Sequence, residues 1–225
     1  MCCEKIETGG EGDGCPMSVS AFLSNYFVRE IPVHRFCHLL RGIYDVLEKK
    51  NTSDSTPDVS LQAVLINFRG MTPEDFAKEE LSRLFQKALE GKMGTFHQEL
   101  AGCFPGWRSL ATGGEGTGLD VLKDDGTEIM EWKNKHNTVN SGSAKAVADK
   151  LMECHKRGMK VHFVQVQCGR CVPRHGAPPE INVMSGRQAY AYLSGRETFF
   201  DDLNKTLAYI FKNHKTYASV LKEIS

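Results

Sequence analysis

The sequence predicts an α/β fold in which a small mixed β-sheet lies at the centre and helices flank it. Three observations lead to this expectation. Apolar residues recur at helical spacing through most of residues 19–110, a strand pattern of period two covers 118–133, and a helical segment separates it from the apolar run at 161–167. Helices followed by a hairpin, a helix, further strands and helices again favour one layered α/β arrangement.

The composition is that of an ordinary globular protein. The chain has 225 residues, of which 40% are hydrophobic, enough for a real core. Lys plus Arg equals Asp plus Glu at 28 each, so any basic surface for nucleic acid is local. No apolar run reaches the roughly 18–20 residues of a membrane span, and the N-terminus lacks the apolar segment of a secretory signal. We therefore expect an intracellular, cytoplasmic protein whose eight cysteines are mostly reduced.

The domain organisation is predicted from changes in composition and hydrophobic periodicity along the chain. Residues 1–18 are rich in Gly, Glu and Cys without periodicity, which predicts a flexible tail. The remainder, 19–225, is expected to be a single domain. Within it, 19–110 is mainly helical, 111–184 forms the sheet core, and 185–225 forms C-terminal helices.

Local signals place the helices. Pro32 predicts a break within 19–49, and the apolar stretch 61–70 fits either a helix or a strand. Thr72 is a good N-cap with proline directly after it, and Gly91 predicts the end of that helix. The other predicted elements are a helix at 93–103, a helix at 141–157, strands at 161–167 and 180–184, and C-terminal helices at 185–193 and 197–213 with a third to the end.

The predicted hairpin at 118–133 carries the chemistry. Its turn is KDDG, and a hairpin with this turn brings Asp120 beside Glu131, with Lys133 two residues further on the same face. Two carboxylates suit a hard cation such as Mg²⁺, and the backbone carbonyl of Trp132 could complete the ligand set. Lys133 would orient or deprotonate a water and stabilise negative charge, which suits phosphodiester hydrolysis.

A surface hairpin with an ordinary ion pair is the simpler interpretation of so short a pattern. Three features argue against it. The acidic residues lie on consecutive short strands, the residue between Glu131 and Lys133 is the apolar Trp132, and a helix follows directly to cover the strand.

The motif Gly118-Leu119-Asp120 … Glu131-Trp132-Lys133 resembles the PD-(D/E)XK nuclease motif. The sequence around this motif is a more specific signal than the motif itself, and it resembles the type II restriction endonuclease family that cuts at GGNCC. The resemblance runs from about Ile66 to about Leu207 in the same order and at similar spacing. It is carried by TFHQEL at 95–100, GW at 106–107, GLDV at 118–121 and EWKNKHNTVNSGSAK at 131–145.

This resemblance implies a restriction-endonuclease-like PD-(D/E)XK core and a Mg²⁺-dependent endonuclease that cuts both strands of duplex DNA. Asp120 and Glu131 would bind the metal and Lys133 would be catalytic. Because each active site cuts one strand, a symmetric site implies a homodimer. A partner DNA methyltransferase, which protects host DNA, is implied as well.

The polar run after the catalytic strand is interpreted as an edge that faces DNA. Lysine reads guanine and asparagine reads adenine, whereas lysine and histidine can equally bind phosphates. For residues 138–143 a solvated loop and helix cap is an equally good explanation. The candidate DNA contacts are Asn134, Lys135, His136, Asn137 and Asn140, together with Arg170 and Arg174 of the loop at 168–179.

The helix before the hairpin supplies further candidates. In PD-(D/E)XK nucleases an acid or amide from this helix often faces the metal, which suggests Gln98 and, second to it, Glu99. His97 is a candidate too, although a lone helical histidine is more often structural.

The loop at 168–179 contains a CxxC pair. Cys168, Cys171 and His175 are three potential ligands for structural Zn²⁺, but one CxxC pair without a second is a weak signal. Two reduced cysteines in a loop are the alternative.

Three functions remain open at this stage. The first is a site-specific restriction endonuclease, and the second is another PD-(D/E)XK nuclease that acts in repair or on a DNA structure. The third is a DNA-binding protein that has lost cleavage, against which the intact Asp120, Glu131 and Lys133 argue.

Overall fold

A computed structural model describes residues 19–49, 58–110, 118–135, 141–168 and 178–224. The described elements are α1 (Val19–Ser24), α2 (Val33–Leu39), α3 (Arg41–Glu48), α4 (Val59–Arg69), α5 (Pro73–Ala101), β1 (Trp107–Ser109), β2 (Val121–Lys123), β3 (Glu128–Lys135), α6 (Ser141–Lys156), β4 (Lys160–Gln167), β5 (Asn182–Ser185), α7 (Gly186–Ser194), α8 (Phe199–Asn213) and α9 (Tyr217–Lys222). The tail predicted at 1–18 lies outside the described residues.

The five described strands form one mixed sheet in the order β1-β2-β3-β4-β5. Strands β1, β2 and β3 are antiparallel neighbours, whereas β4 runs parallel to both β3 and β5. The connection from β3 to β4 contains α6, as a parallel crossover requires. The predicted α/β class, with a small mixed sheet flanked by helices, is confirmed.

Each face of the sheet packs against its own cluster of apolar side chains. Met130 and Trp132 of β3 enter the larger cluster, which includes one buried aromatic residue from each of four helices: Phe36 of α2, Phe96 of α5, Tyr190 of α7 and Phe199 of α8. Ile129 of β3 enters the smaller cluster, together with Leu151 of α6. Because alternate residues of a strand point to opposite faces, Glu131 and Lys133 share the face of Ile129 and α6.

Helix α5 begins as predicted but ends ten residues later than predicted. The Thr72 hydroxyl accepts a hydrogen bond from the Asp75 N–H, and Pro73 occupies the first turn. The predicted end at Gly91 is wrong, because the helix continues to Ala101 and absorbs the separate helix expected at 93–103. A glycine inside a helix costs about 1 kcal/mol. Burial of apolar side chains in the last turns, Phe96 and Leu100 among them, outweighs that cost.

A short strand, β1, follows α5 and was not predicted. The chain turns back so closely that a Cβ atom at Gly102 would lie 2.1 Å from the Ser109 backbone nitrogen. Only glycine permits this approach, which joins the end of α5 to the edge of the sheet.

The remaining elements match their predictions closely. The ambiguous stretch at 61–70 is helical and forms α4, whose N-cap Asp58 accepts a hydrogen bond from the Leu61 N–H. The hairpin at 118–133 is confirmed as β2 and β3. Its turn contains Gly126 at φ 72°, and the Asp125 side chain accepts the Thr127 N–H. None of the helices in the described ranges is both long and apolar enough to cross a membrane.

Candidate active site

The hairpin brings the two predicted carboxylates together at the middle of the sheet. Asp120 directly precedes β2, and the pairing of Val121 with Met130 places it beside Glu131 on β3. The Trp132 N–H donates a 2.7 Å hydrogen bond to Asp120 Oδ2, and the Asp120 N–H donates to the Met130 carbonyl at 3.2 Å. Both bonds cross the hairpin, so the position of Asp120 relative to β3 is fixed by backbone groups.

Lys133 joins this pair from the next position on the same face. Its Nζ atom lies 2.5 Å from Glu131 Oε1. The Glu131 side chain is 4% exposed and the Lys133 side chain 28%, so the ammonium group has access to solvent whereas the carboxylate has little. The structure thus places Asp120, Glu131 and Lys133 in one cluster, as the sequence predicts.

The two neighbouring carboxyl groups of the cluster repel each other when both are ionised. Burial, reinforced by the negative charge of Asp120, raises the pKa of Glu131 to about 7. Burial also raises the pKa of Asp120, although the hydrogen bond from the Trp132 N–H and the charge of Lys133 oppose that shift. A divalent cation would relieve this repulsion, because it stabilises both carboxylates in their ionised forms.

The donor set fits a magnesium ion that is shared with a substrate. Glu131 Oε2 is buried and has no hydrogen-bond partner among the described residues, so one carboxylate oxygen is available. The described residues contain no cluster of three or more His, Cys, Asp and Glu side chains that could form a complete protein cage. Mg²⁺ does not need one, since it commonly binds one or two carboxylates and completes its shell with waters and phosphates.

Gln98 of α5 reaches this site. Its Nε2 atom donates to the Trp132 carbonyl at 3.4 Å, and its amide also stabilises the ionised form of Asp120. The predicted metal ligand at the Trp132 carbonyl therefore lies next to the candidate amide. A carbonyl oxygen has two lone pairs, so the Gln98 contact leaves one for a cation.

The two neighbours of Gln98 lie elsewhere. Glu99 is exposed, and its charged neighbour in the structure is Lys92. His97 is buried in the core, with Nδ1 2.8 Å from the Tyr190 hydroxyl, and burial lowers its pKa to about 4. His97 is therefore a structural residue of the core, which was the alternative to a role in the active site.

The predicted DNA contacts are described only in part. Asn134 is half-buried and donates to the Glu90 carbonyl at 3.4 Å, so its amide faces α5. Lys135 ends β3, where its backbone pairs with Gln167. His136, Asn137, Asn140, Arg170 and Arg174 lie outside the described residues.

The cysteines differ from expectation at one position. Cys37, Cys103 and Cys154 are free, as expected for reduced thiols. Cys168 is disulfide-bonded. A cystine sulfur is not the thiolate that zinc requires, so the structure does not support the zinc alternative at this residue. The other two candidate zinc ligands, Cys171 and His175, lie outside the described residues.

Sequence reasoning missed one residue of this face, Gln165. Strand β4 pairs with β3 so that Gln165 lies opposite Lys133. Gln165 is 5% exposed, and its Oε1 atom has no hydrogen-bond partner among the described residues. In the sequence it is one of two glutamines in a β-strand, and only the parallel register reveals which of them faces the cluster.

A five-stranded mixed sheet flanked by helices, with an acid pair and a lysine on its central hairpin, defines a restriction-endonuclease-like protein. Comparison with known proteins makes this assignment specific. A family model described as "Eco47II restriction endonuclease" matches residues 47–214, and the chain belongs to that family.

Two curated relatives are similar to this chain. The type II restriction enzyme Eco47II of Escherichia coli is 28% identical over 155 residues, which cover 60% of this chain and 63% of that protein. The type II restriction enzyme Sau96I of Staphylococcus aureus is 27% identical over 158 residues, which cover 61% of this chain and 59% of that protein. The chain thus spans about three fifths of the length of these relatives.

Proposed function

We propose that the protein is a type II restriction endonuclease that makes Mg²⁺-dependent double-strand cuts in duplex DNA. The observation that carries this proposal is the pair of half-buried Asp120 and buried Glu131 with Lys133 beside it. Membership of the Eco47II family and similarity to two type II restriction enzymes support it.

The carboxylates and the lysine have separate roles in this proposal. Asp120, Glu131 and the Trp132 carbonyl would hold the metal, and Gln98 would orient that carbonyl. Bound Mg²⁺ supplies Lewis-acid stabilisation of the charge that develops on the phosphodiester oxygens. Lys133, whose side chain is partly exposed, would orient the attacking water and stabilise the same negative charge.

The hydrogen bond between the Trp132 N–H and Asp120 gives this site its rigidity. Because Trp132 is 1% exposed and its ring centroid lies 5.2 Å from that of Tyr190, the strand is held from the opposite face of the sheet. Glu131 and Lys133 flank this anchored residue, so their backbones cannot shift independently. Such preorganisation is what electrostatic catalysis requires.

The finer features of the reaction are part of the same proposal. The cut site is a GGNCC-like palindrome, and a homodimer places one active site on each strand. Cleavage of host DNA would be prevented by a cognate methyltransferase. The proposed DNA contacts are Asn134 and Lys135 at the end of β3, with His136, Asn137 and Asn140, which follow them in the sequence, and Arg170 and Arg174, which follow β4 in the sequence.

Digestion of plasmid DNA with and without Mg²⁺ tests this function. Discrete fragments that require Mg²⁺ support a site-specific endonuclease, whereas a smear indicates a general nuclease. Retained DNA binding without cleavage would indicate a DNA-binding protein that does not cut. The substitutions Glu131→Ala and Lys133→Ala locate the active site, since cleavage at the wild-type rate by either variant would place the site elsewhere.

A further inference from the structure

Two buried oxygen atoms on one face of the sheet, in neighbouring strands, have no hydrogen-bond partner among the described residues. One is Glu131 Oε2, and the other is Oε1 of Gln165 on β4. Leaving a buried polar atom unpaired is destabilising, so such atoms call for an explanation. The oxygen of Glu131 is explained by the proposed metal, whereas that of Gln165 is not yet explained.

The register identifies the group that Gln165 faces. Its neighbour on β3 is Lys133, and its neighbour on β5 is Ser185. The Ser185 hydroxyl is already engaged, because it accepts the Gln188 N–H and donates to the Gln188 side chain in a capping box. Two residues earlier on β4, Phe163 lies opposite Glu131 and is apolar. Among the described cross-strand neighbours, Lys133 is therefore the one that can donate to the Gln165 amide.

The Lys133 ammonium group is paired with Glu131 Oε1 in the structure. A cation at the acid pair competes for that carboxylate, because Lys133 and the cation are both attracted to the same negative charge. If the ammonium group had no alternative acceptor, cation binding would leave it with a weaker set of hydrogen bonds.

We infer that Gln165 is a positioning residue whose amide oxygen accepts Lys133 when a divalent cation binds Glu131. This inference rests on the proposed function, in which Glu131 is a metal ligand. The Gln165 amide weakens the competition between lysine and cation, and it holds the ammonium group beside the position of the attacking water. Gln165 acts through Lys133 and does not itself contact the substrate.

The test is a calorimetric titration of the DNA-free protein with Ca²⁺ or Mg²⁺, which needs no cleavage. Gln165→Leu keeps the side-chain size and removes the acceptor, and we expect it to weaken cation binding about tenfold. Gln165→Glu restores an acceptor and should recover the affinity. Gln167→Leu, on the same strand at an exposed position, is the matched control and should bind the cation as the wild type does.

A second pair of variants separates positioning from a general effect on folding. In a Lys133→Met background no ammonium group needs an acceptor, so Gln165→Leu should cause no further loss of cation affinity. An equal loss in both backgrounds, or an unchanged affinity for the single variant, would overturn the inference. Thermal unfolding of each variant shows whether it is folded at the temperature of the titration.

Failure of the proposed function gives a different result. If wild-type protein binds the cation but does not cut DNA, the coupling between Lys133 and Gln165 is still measurable. If the wild type cuts DNA and the coupling is absent, the function stands and the role of Gln165 is wrong. In an active enzyme, Gln165→Leu should lower kcat with little change in the KM for DNA.

Discussion

The Trp132 N–H donates a hydrogen bond of 2.7 Å to the Asp120 side chain. Trp132 lies between Glu131 and Lys133, so this single bond ties the three polar residues of the cluster to one another through the backbone. It also opposes the effect of burial on the Asp120 carboxyl group, because an N–H donor stabilises the ionised form. The hairpin therefore prepares Asp120 for a cation before one binds.

Removing the Asp120 charge should abolish most activity without unfolding the protein. Asp120→Asn keeps an oxygen that can accept the Trp132 N–H, but it loses the negative charge that would bind the metal. We expect Mg²⁺-dependent cleavage to fall about 100-fold or more, which corresponds to roughly 3 kcal/mol of transition-state stabilisation. Plasmid cleavage rates measure the effect. The exposed control Asp124→Asn should cut normally, and near-normal cleavage by Asp120→Asn would remove that residue from the site.

The stability of the metal-free protein should fall as the pH rises. The pKa of Glu131 is raised from 4.5 to about 7 in the folded state. A raised folded-state pKa gives stability that is fully present below about 4.5 and is lost as the pH rises through about 7, up to roughly 3 kcal/mol in total.

Magnesium should reverse this trend, because it binds the ionised carboxylate. We therefore expect the rise in Tm on addition of Mg²⁺ to grow between about pH 5 and pH 8. In Glu131→Gln both the pH trend and the Mg²⁺ effect should shrink. A Tm increase that is independent of pH, or equal in wild type and variant, would show that the cation binds at another place.

Gln98 and Glu99 form a matched pair on one helix, of which only Gln98 contacts the site. Gln98→Ala removes the donor to the Trp132 carbonyl and the support for ionised Asp120. We expect it to lower cleavage about tenfold, with a higher Mg²⁺ concentration needed for half-maximal rate. Glu99→Ala should cut as the wild type does. The reverse order of effects would show that the acid, and not the amide, serves the metal site.

Glu128 should stabilise the fold without taking part in the reaction. Its side chain accepts hydrogen bonds from Tyr192, Lys123 and His162 at 2.6, 2.9 and 3.0 Å. Although burial raises the pKa of Glu128, these donors together lower it to about 2. Glu128→Gln should therefore reduce the free energy of unfolding by about 3 kcal/mol at pH 7 in urea denaturation.

The pH dependence of this stabilisation is opposite in sign to that of Glu131. A depressed folded-state pKa gives stability that is present above about 4.5 and is lost as the pH falls toward 2. The difference between wild type and Glu128→Gln should therefore vanish in acid. Glu153→Gln, at an exposed ion pair with Arg157, is the control and should change stability by less than about 1 kcal/mol. A Glu128→Gln protein as stable as this control would contradict the role of the network.

The acid pair and the lysine could be predicted because the interactions that assemble them are local. Asp120 and Glu131 are separated by a short hairpin, and the KDDG turn together with strand alternation brings them together on one face. The same alternation predicted Trp132 as the buried residue between Glu131 and Lys133, and its burial is confirmed.

Gln165 could not be predicted, since its position depends on a register set at a distance. The parallel pairing of β4 with β3 joins strands that α6 separates in the sequence, and a slip of one residue would turn Gln165 to the other face. The continuation of α5 past Gly91 also depends on tertiary contacts. Gly91 by itself predicts the end of the helix, but burial of the later turns in the core keeps the chain helical as far as Ala101.

Sequencing the ends of DNA that the protein has digested in the presence of Mg²⁺ reports its cleavage activity, its recognition site and its cut position in one measurement. All ends from the wild-type protein should map to one short GGNCC-like palindrome with a constant offset between the two strands. The variants Glu131→Ala and Lys133→Ala should produce no such ends. Ends scattered without a shared sequence, or the same ends from either variant, would contradict the proposed function.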